Sequence, residues 1–168
     1  MSSYLNIYGR LRSDLYTVTR LKDKEYHKQD DVILFNSYSR NSEIYGIFRE
    51  SINPVWAGEE EKYTILDESN INSCIKECKE RITFLEKYIK NNIQKKSEYI
   101  KYLQSLPKTL SYTEYIDHIT GDYDDDEETK EEIENYKYCL NQLENLASLI
   151  TACNLQCSGF SEILCNID

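Results

Sequence analysis

The six cysteines are the residues of this chain with the most recognisable chemistry, although none lies in a CxxC pair. Cys74 and Cys78 are one helical turn apart, as are Cys153 and Cys157. If the two segments fold back on each other with a turn near residue 115, these four thiols meet. Four thiolates can bind zinc, facing pairs can form disulfides, and small buried thiols can fill an apolar core. We expect metal-free, reduced thiols, because no secretory signal precedes them.

An acidic run near the middle of the chain has the alternation of a calcium loop, with Asp122, Asp124 and Asp126 at every second position. Such a loop needs Gly at its sixth position and Glu at its twelfth, where this chain has Glu127 and Ile133. The pattern therefore does not predict a calcium site. These acids are expected to stabilise the positive N-terminal end of a helix.

A polar turn, Ser39, Arg40, Asn41 and Ser42, separates an apolar run from a short helical pattern. Backbone amides at a helix start, with Arg40 beside them, could receive a phosphate or carboxylate. The glycine-rich approach of nucleotide-binding loops is missing. The alternative is an ordinary capped helix in which Arg40 pairs with Glu43.

Catalytic and cofactor motifs are absent from the sequence. The two histidines, His27 and His118, fall in a charged loop and at a predicted helical turn, so neither is placed to activate a cysteine. We therefore predict no catalytic residue, no cofactor and no enzymatic activity.

The 168 residues carry a formal net charge of −10. The imbalance lies in residues 122–168, which contain 12 acidic and 2 basic side chains. An acidic chain lacks the basic footprint of a nucleic-acid binder, so the expected partner is a protein with a basic surface. No apolar run is long enough to span a bilayer and no signal peptide is recognised, which predicts no membrane contact and a cytoplasmic location.

The periodicity predicts strands at residues 4–8, 15–19, 32–35 and 160–167, with 32–35 as the central strand. A short helix is expected to end at residue 51, and two long amphipathic helices at residues 67–106 and 126–156. The fold class is α+β, a small, mostly antiparallel sheet with one short helix and a long antiparallel helical hairpin. We expect a single domain, with residues 1–66 and 158–168 as the sheet module and 67–157 as the hairpin.

Several segments resemble uncharacterised small acidic proteins of tailed phages and prophages of low-GC bacteria. They are residues 3–8, 37–42, 52–54 and 58–64, and the closing Ile167-Asp168. The resemblance implies an accessory role in which the protein occupies a surface of a host protein, including immune effectors.

The leading hypothesis is a non-catalytic phage-encoded protein that inhibits or modulates a host protein, such as a CRISPR-type defence factor. The predicted contact surface combines aromatic anchors with acids that steer association: Tyr112, Tyr115, Asp122, Asp124, Asp125, Asp126, Glu127 and Glu128. The alternative is a sensor or sequestering protein for a small anionic, nucleotide-like ligand at Arg40. Self-association through the helices, giving a homo-oligomer, is a third hypothesis.

Overall fold

The computed structural model describes residues 3–12, 32–58, 62–105 and 125–168. The elements, in chain order, are β1 (Tyr4–Leu11), β2 (Val32–Ser39), α1 (Glu43–Ser51), β3 (Thr64–Ile65), α2 (Glu68–Ser105), α3 (Asp125–Asn154) and β4 (Phe160–Ile167). The described part of the chain is therefore a mixed structure with one antiparallel sheet and three helices. The predicted strand at 15–19 and the predicted helix stop at Pro107 lie outside the described residues.

The four described strands lie in the order β2-β1-β4-β3, and each strand pairs antiparallel with its neighbours. The closing strand returns to the sheet as predicted, with Leu5 opposite Ile167. Residues 32–35 are predicted to form the central strand, whereas among the described strands β2 lies at one end of the order, beside β1. Ile33 and Leu34 are 42% and 51% exposed. A continuous apolar run puts hydrophobic side chains on both faces of a strand, but it does not decide which strands lie beside it.

The core forms around β1 and β4, and both faces of β4 are covered, since the consecutive residues 163–167 are all buried. Residues at alternate positions of these strands share a face, and Ile7 lies opposite Cys165. The short helix α1 contributes the 3-4 spaced apolar side chains predicted for it, all buried: Ile44, Ile47 and Phe48. The long helices add further side chains that are almost fully buried: Ile71, Cys74, Cys78, Leu143 and Ile150.

The chain divides into two compact units, and the division runs through α2 and α3. The first, called here the sheet unit, comprises Met1–Cys78 and Cys139–Asp168. The second, Lys79–Tyr138, is called the helical unit. No helix in the described ranges has an apolar stretch long enough to cross a membrane.

Within the helical unit, α2 and α3 contact each other through polar groups as well as apolar ones. The Arg81 guanidinium donates a hydrogen bond to the Tyr136 hydroxyl at 2.8 Å and lies 5.6 Å from the centroid of that ring. The Lys137 ammonium lies 4.0 Å from the Glu86 carboxylate. Ile82, Ile133 and Tyr136 are buried here.

Candidate functional site

Only part of the predicted contact surface lies within the described residues. Tyr112, Tyr115, Asp122 and Asp124 lie outside the described residues. Asp125 and Asp126 form the first residues of α3. Glu127 and Glu128 follow them and are exposed. The acidic run therefore leads into α3, and its described part can be followed along that helix.

One face of α3 in the helical unit carries three carboxylates and an aromatic side chain. Glu127, Glu131, Glu134 and Tyr138 recur at intervals of three and four residues, which places them on one side of a helix. All four are exposed, and the Tyr138 side chain is 67% exposed. This set is called here the acidic face.

Lysines partly neutralise the acidic face. Lys130 lies 2.8 Å from the Glu127 carboxylate and Lys137 lies 3.0 Å from that of Glu134. Both pairs are solvent-exposed, so water screens them and neither is expected to hold its glutamate away from a partner. The segment from residue 127 to 138 has five glutamates and two lysines and remains negative.

Two further exposed aromatic side chains lie on α2. Phe84 and Tyr88 are one turn apart and are 69% and 41% exposed. The contact surface predicted from the sequence did not include these two aromatics or Tyr138. The signal was available in the periodicity, since all three fall outside the 3-4 series that Ile82, Leu85 and Ile89 follow on α2 and that Ile133 and Tyr136 follow on α3.

The candidate anion site is a tight turn between β2 and α1. The Ser42 hydroxyl donates to the Ser39 carbonyl at 2.7 Å, and the Arg40 backbone amide donates to the Ser3 carbonyl at 3.0 Å. Arg40 and Asn41 are exposed. Ser42 is the N-cap of α1 but its side chain makes no capping hydrogen bond. The structure thus brings the four residues together in one turn, and an anion there stays a prediction.

The structure groups Cys74 and Cys78 with Cys139 and Cys165 in the core of the sheet unit. Burial, with a smaller contribution from the nearby Cys78, raises the pKa of Cys74 to about 12, although a hydrogen bond with the Ser51 side chain acts in the opposite direction. Burial, with Cys74 nearby, also raises the pKa of Cys165 to about 12. A hydrogen bond with the Cys78 thiol is the main cause that raises the pKa of Cys139, followed by burial.

Cys153 and Cys157 have other neighbours. The sulfur of Cys153 lies 3.2 Å from the Ser158 hydroxyl, and Cys157 is exposed with its thiol directed to the Leu155 carbonyl. The prediction that Cys78 lies beside Cys153 is wrong, because Cys78 is hydrogen-bonded to Cys139. Cys139 and Cys153 are about 21 Å apart along α3. In the described ranges, no group of three or more Cys, His, Asp or Glu side chains is arranged to hold a metal ion.

The buried thiols with raised pKa values are poor nucleophiles and poor metal ligands. Because the thiolate is the nucleophile and the metal ligand, a raised pKa leaves Cys74, Cys139 and Cys165 protonated at neutral pH. Their arrangement supports core packing and gives no nucleophile. The acidic face is the described surface with the most distinctive chemistry.

Comparisons with known proteins give no relative from which a role could be transferred. No protein-family model matches the sequence, and neither a curated protein nor a solved structure matches it.

Proposed function

We propose that this chain is a non-catalytic, phage-encoded binding protein that inhibits or modulates a host protein through the acidic face of α3. The observation that carries the proposal is the row of three exposed carboxylates that ends at the exposed Tyr138. The expected partner has a basic surface, and the resemblance to phage proteins suggests a defence factor of the CRISPR type as its class.

Charge and aromatic area contribute differently to such a contact. Exposed carboxylates attract a basic surface over several ångströms and raise the association rate. A tyrosine with most of its surface accessible can bury a large, rigid area at low entropic cost, which slows dissociation. The acidic face combines both on one side of one helix.

The test compares two variants with the same change in charge. In the acidic-face variant, Glu127, Glu131 and Glu134 are replaced by Gln. In the control, Glu50, Glu98 and Glu144, which are also exposed, are replaced by Gln. Glutamine keeps the size of the side chain, and far-UV circular dichroism would verify that both variants fold.

The partner is first captured with the wild-type protein from a lysate of a low-GC bacterial host and is then purified. Its association rate with the acidic-face variant should fall at least about tenfold, with little change for the control. Tyr138→Ala should mainly accelerate dissociation. An association rate that is equal for the wild type and the acidic-face variant would show that the contact lies elsewhere.

A further inference from the structure

A half-open cavity of about 370 Å³ lies in the sheet unit, and none of the acidic-face residues is among the described residues that line it. Its lining comes from β1, β2, α1, α3 and β4. The apolar part of the lining consists of six side chains: Ile7, Phe35, Ile44, Leu146, Leu149 and Phe160. The other described side chains of the lining are polar and uncharged: Asn36, Tyr38, Gln142 and Asn145.

Two aromatic rings shape one side of the cavity. The pairing of β1 with β2 is interrupted at Phe35, because Ile7 lies opposite Asn36 while the next residue of β1 lies opposite Leu34. Such a bulge changes the direction of a side chain. The Phe35 ring meets the Phe160 ring edge to face, with centroids 4.8 Å apart.

Gly9 makes room for these rings. A Cβ atom at this position would lie 2.6 Å from Cδ1 of Phe160 and closer still to Cζ of Phe35. The absence of a side chain at Gly9 therefore lets both rings lie against β1. The aromatic wall of the cavity depends on local backbone features of two strands.

The lining determines what kind of molecule the cavity can accept. The described residues of the lining include no charged side chain, so a charged ligand would lose its hydration without a compensating ion pair from them. The phenylalanine rings favour flat aromatic ligands, and the side-chain amides of Asn36, Gln142 and Asn145 offer both donors and acceptors. A volume of about 370 Å³ is in the range of small-molecule sites.

We propose that this cavity is a binding site for an uncharged, planar, bicyclic or tricyclic aromatic molecule that carries a lactam or amide-type group. The aromatic part packs with Phe35 and Phe160, and the amide-type group pairs with the carboxamides. This site is independent of the acidic face, so either proposal can fail without the other.

The probe is 2-quinolone, an uncharged bicyclic lactam, added to the full chain and followed by isothermal titration and thermal shift. Two related compounds separate the contributions, since naphthalene lacks the lactam and quinoline-2-carboxylate is charged. We expect saturable binding of 2-quinolone and an increase in Tm. Binding of naphthalene should be weaker, and that of quinoline-2-carboxylate should not be measurable.

Variants locate the binding. Gln142→Leu nearly preserves the size of the side chain but removes one amide, and should weaken 2-quinolone binding about fivefold. Leu146→Trp fills the cavity and should abolish binding. Asn135→Leu, an exposed Asn on the same helix outside the lining, is the matched control and should bind as the wild type does.

Three results would overturn the proposal: no saturable binding of 2-quinolone, equal binding of the carboxylate, or binding that neither Gln142→Leu nor Leu146→Trp changes. A cavity filled by another segment of the chain itself would give the first result. Since Gln142 is only partly buried, its variant is expected to fold and keeps the test decisive if Leu146→Trp does not.

Discussion

At the scale of single residues, two buried thiols are expected to lower the free energy of unfolding as the pH rises into the alkaline range. Folding raises the pKa of Cys74 and of Cys165 from 9.0 to about 12. Above pH 9 the unfolded chain releases these protons while the folded chain keeps them, so unfolding becomes more favourable as pH rises. The stabilisation is fully present below pH 9 and is lost between pH 9 and about 12. Each thiol should contribute a slope of up to about 1.4 kcal/mol per pH unit.

Urea unfolding at a series of pH values from 8 to about 10.5 would measure this slope. Cys165→Val should reduce it, because valine is apolar and similar in size and does not titrate. Cys157→Ser is the control, since Cys157 is exposed. A wild-type free energy of unfolding that stays constant across this range would contradict the prediction.

Gly9 is a second residue whose role can be tested by stability. Gly9→Ala should lower the free energy of unfolding by about 1–3 kcal/mol, because the new methyl group would overlap the rings of Phe35 and Phe160. Combining Gly9→Ala with Phe35→Leu should recover part of that loss, since the smaller side chain leaves space. Equal losses for Gly9→Ala in the two backgrounds, measured by chemical denaturation, would show that the steric contact does not matter.

At the scale of elements, the starts of α1 and α2 differ in how they are capped. The Asp67 carboxylate accepts a hydrogen bond from the Asn70 backbone amide at 2.7 Å, whereas the Ser42 hydroxyl bonds back to Ser39. Asp67→Ala should therefore destabilise the protein by about 1 kcal/mol, and Ser42→Ala by less than about half as much. Asp67→Ser should restore most of the stability. Equal effects of the two alanine variants in thermal unfolding would contradict this difference.

The helices and strands differ in how far the sequence predicts them. The helices and the returning strand β4 were predictable, because apolar periodicity and capping residues act over a few positions. The position of β2 in the sheet and the pairing of Cys78 with Cys139 were not, because they depend on which distant segments meet. The acidic run was visible in the sequence. The cavity was not, since five elements contribute to its lining.

At the scale of the whole molecule, the two proposals fall on different compact units. The acidic face belongs to the helical unit, and the uncharged cavity belongs to the sheet unit. The acidic face thus offers negative charge to a partner, while the described lining of the cavity disfavours a charged ligand. A protein of this design can present a recognition surface to a partner and hold a neutral ligand with different parts of one chain.

The two units are also expected to differ in local stability. In the sheet unit, several side chains such as Ile7 and Leu143 are almost entirely buried between strands and helices. In the helical unit, Ile82 and Ile133 keep 8% and 5% of their surface exposed, and no described strand contributes to the unit. Because local opening is easiest where little apolar surface is buried, the helical unit should open more often.

Native-state hydrogen exchange can measure this difference along a single helix. Leu143 and Ile133 both lie in α3, so helix type and hydrogen-bond pattern are matched. We expect the Ile133 amide to exchange at least about tenfold faster than that of Leu143 after correction for intrinsic rates. Acidic-face substitutions should leave the Leu143 rate unchanged, since they lie outside its unit. Equal protection of the two amides would mean that α3 opens as one cooperative element, and the division into units would then have no energetic counterpart.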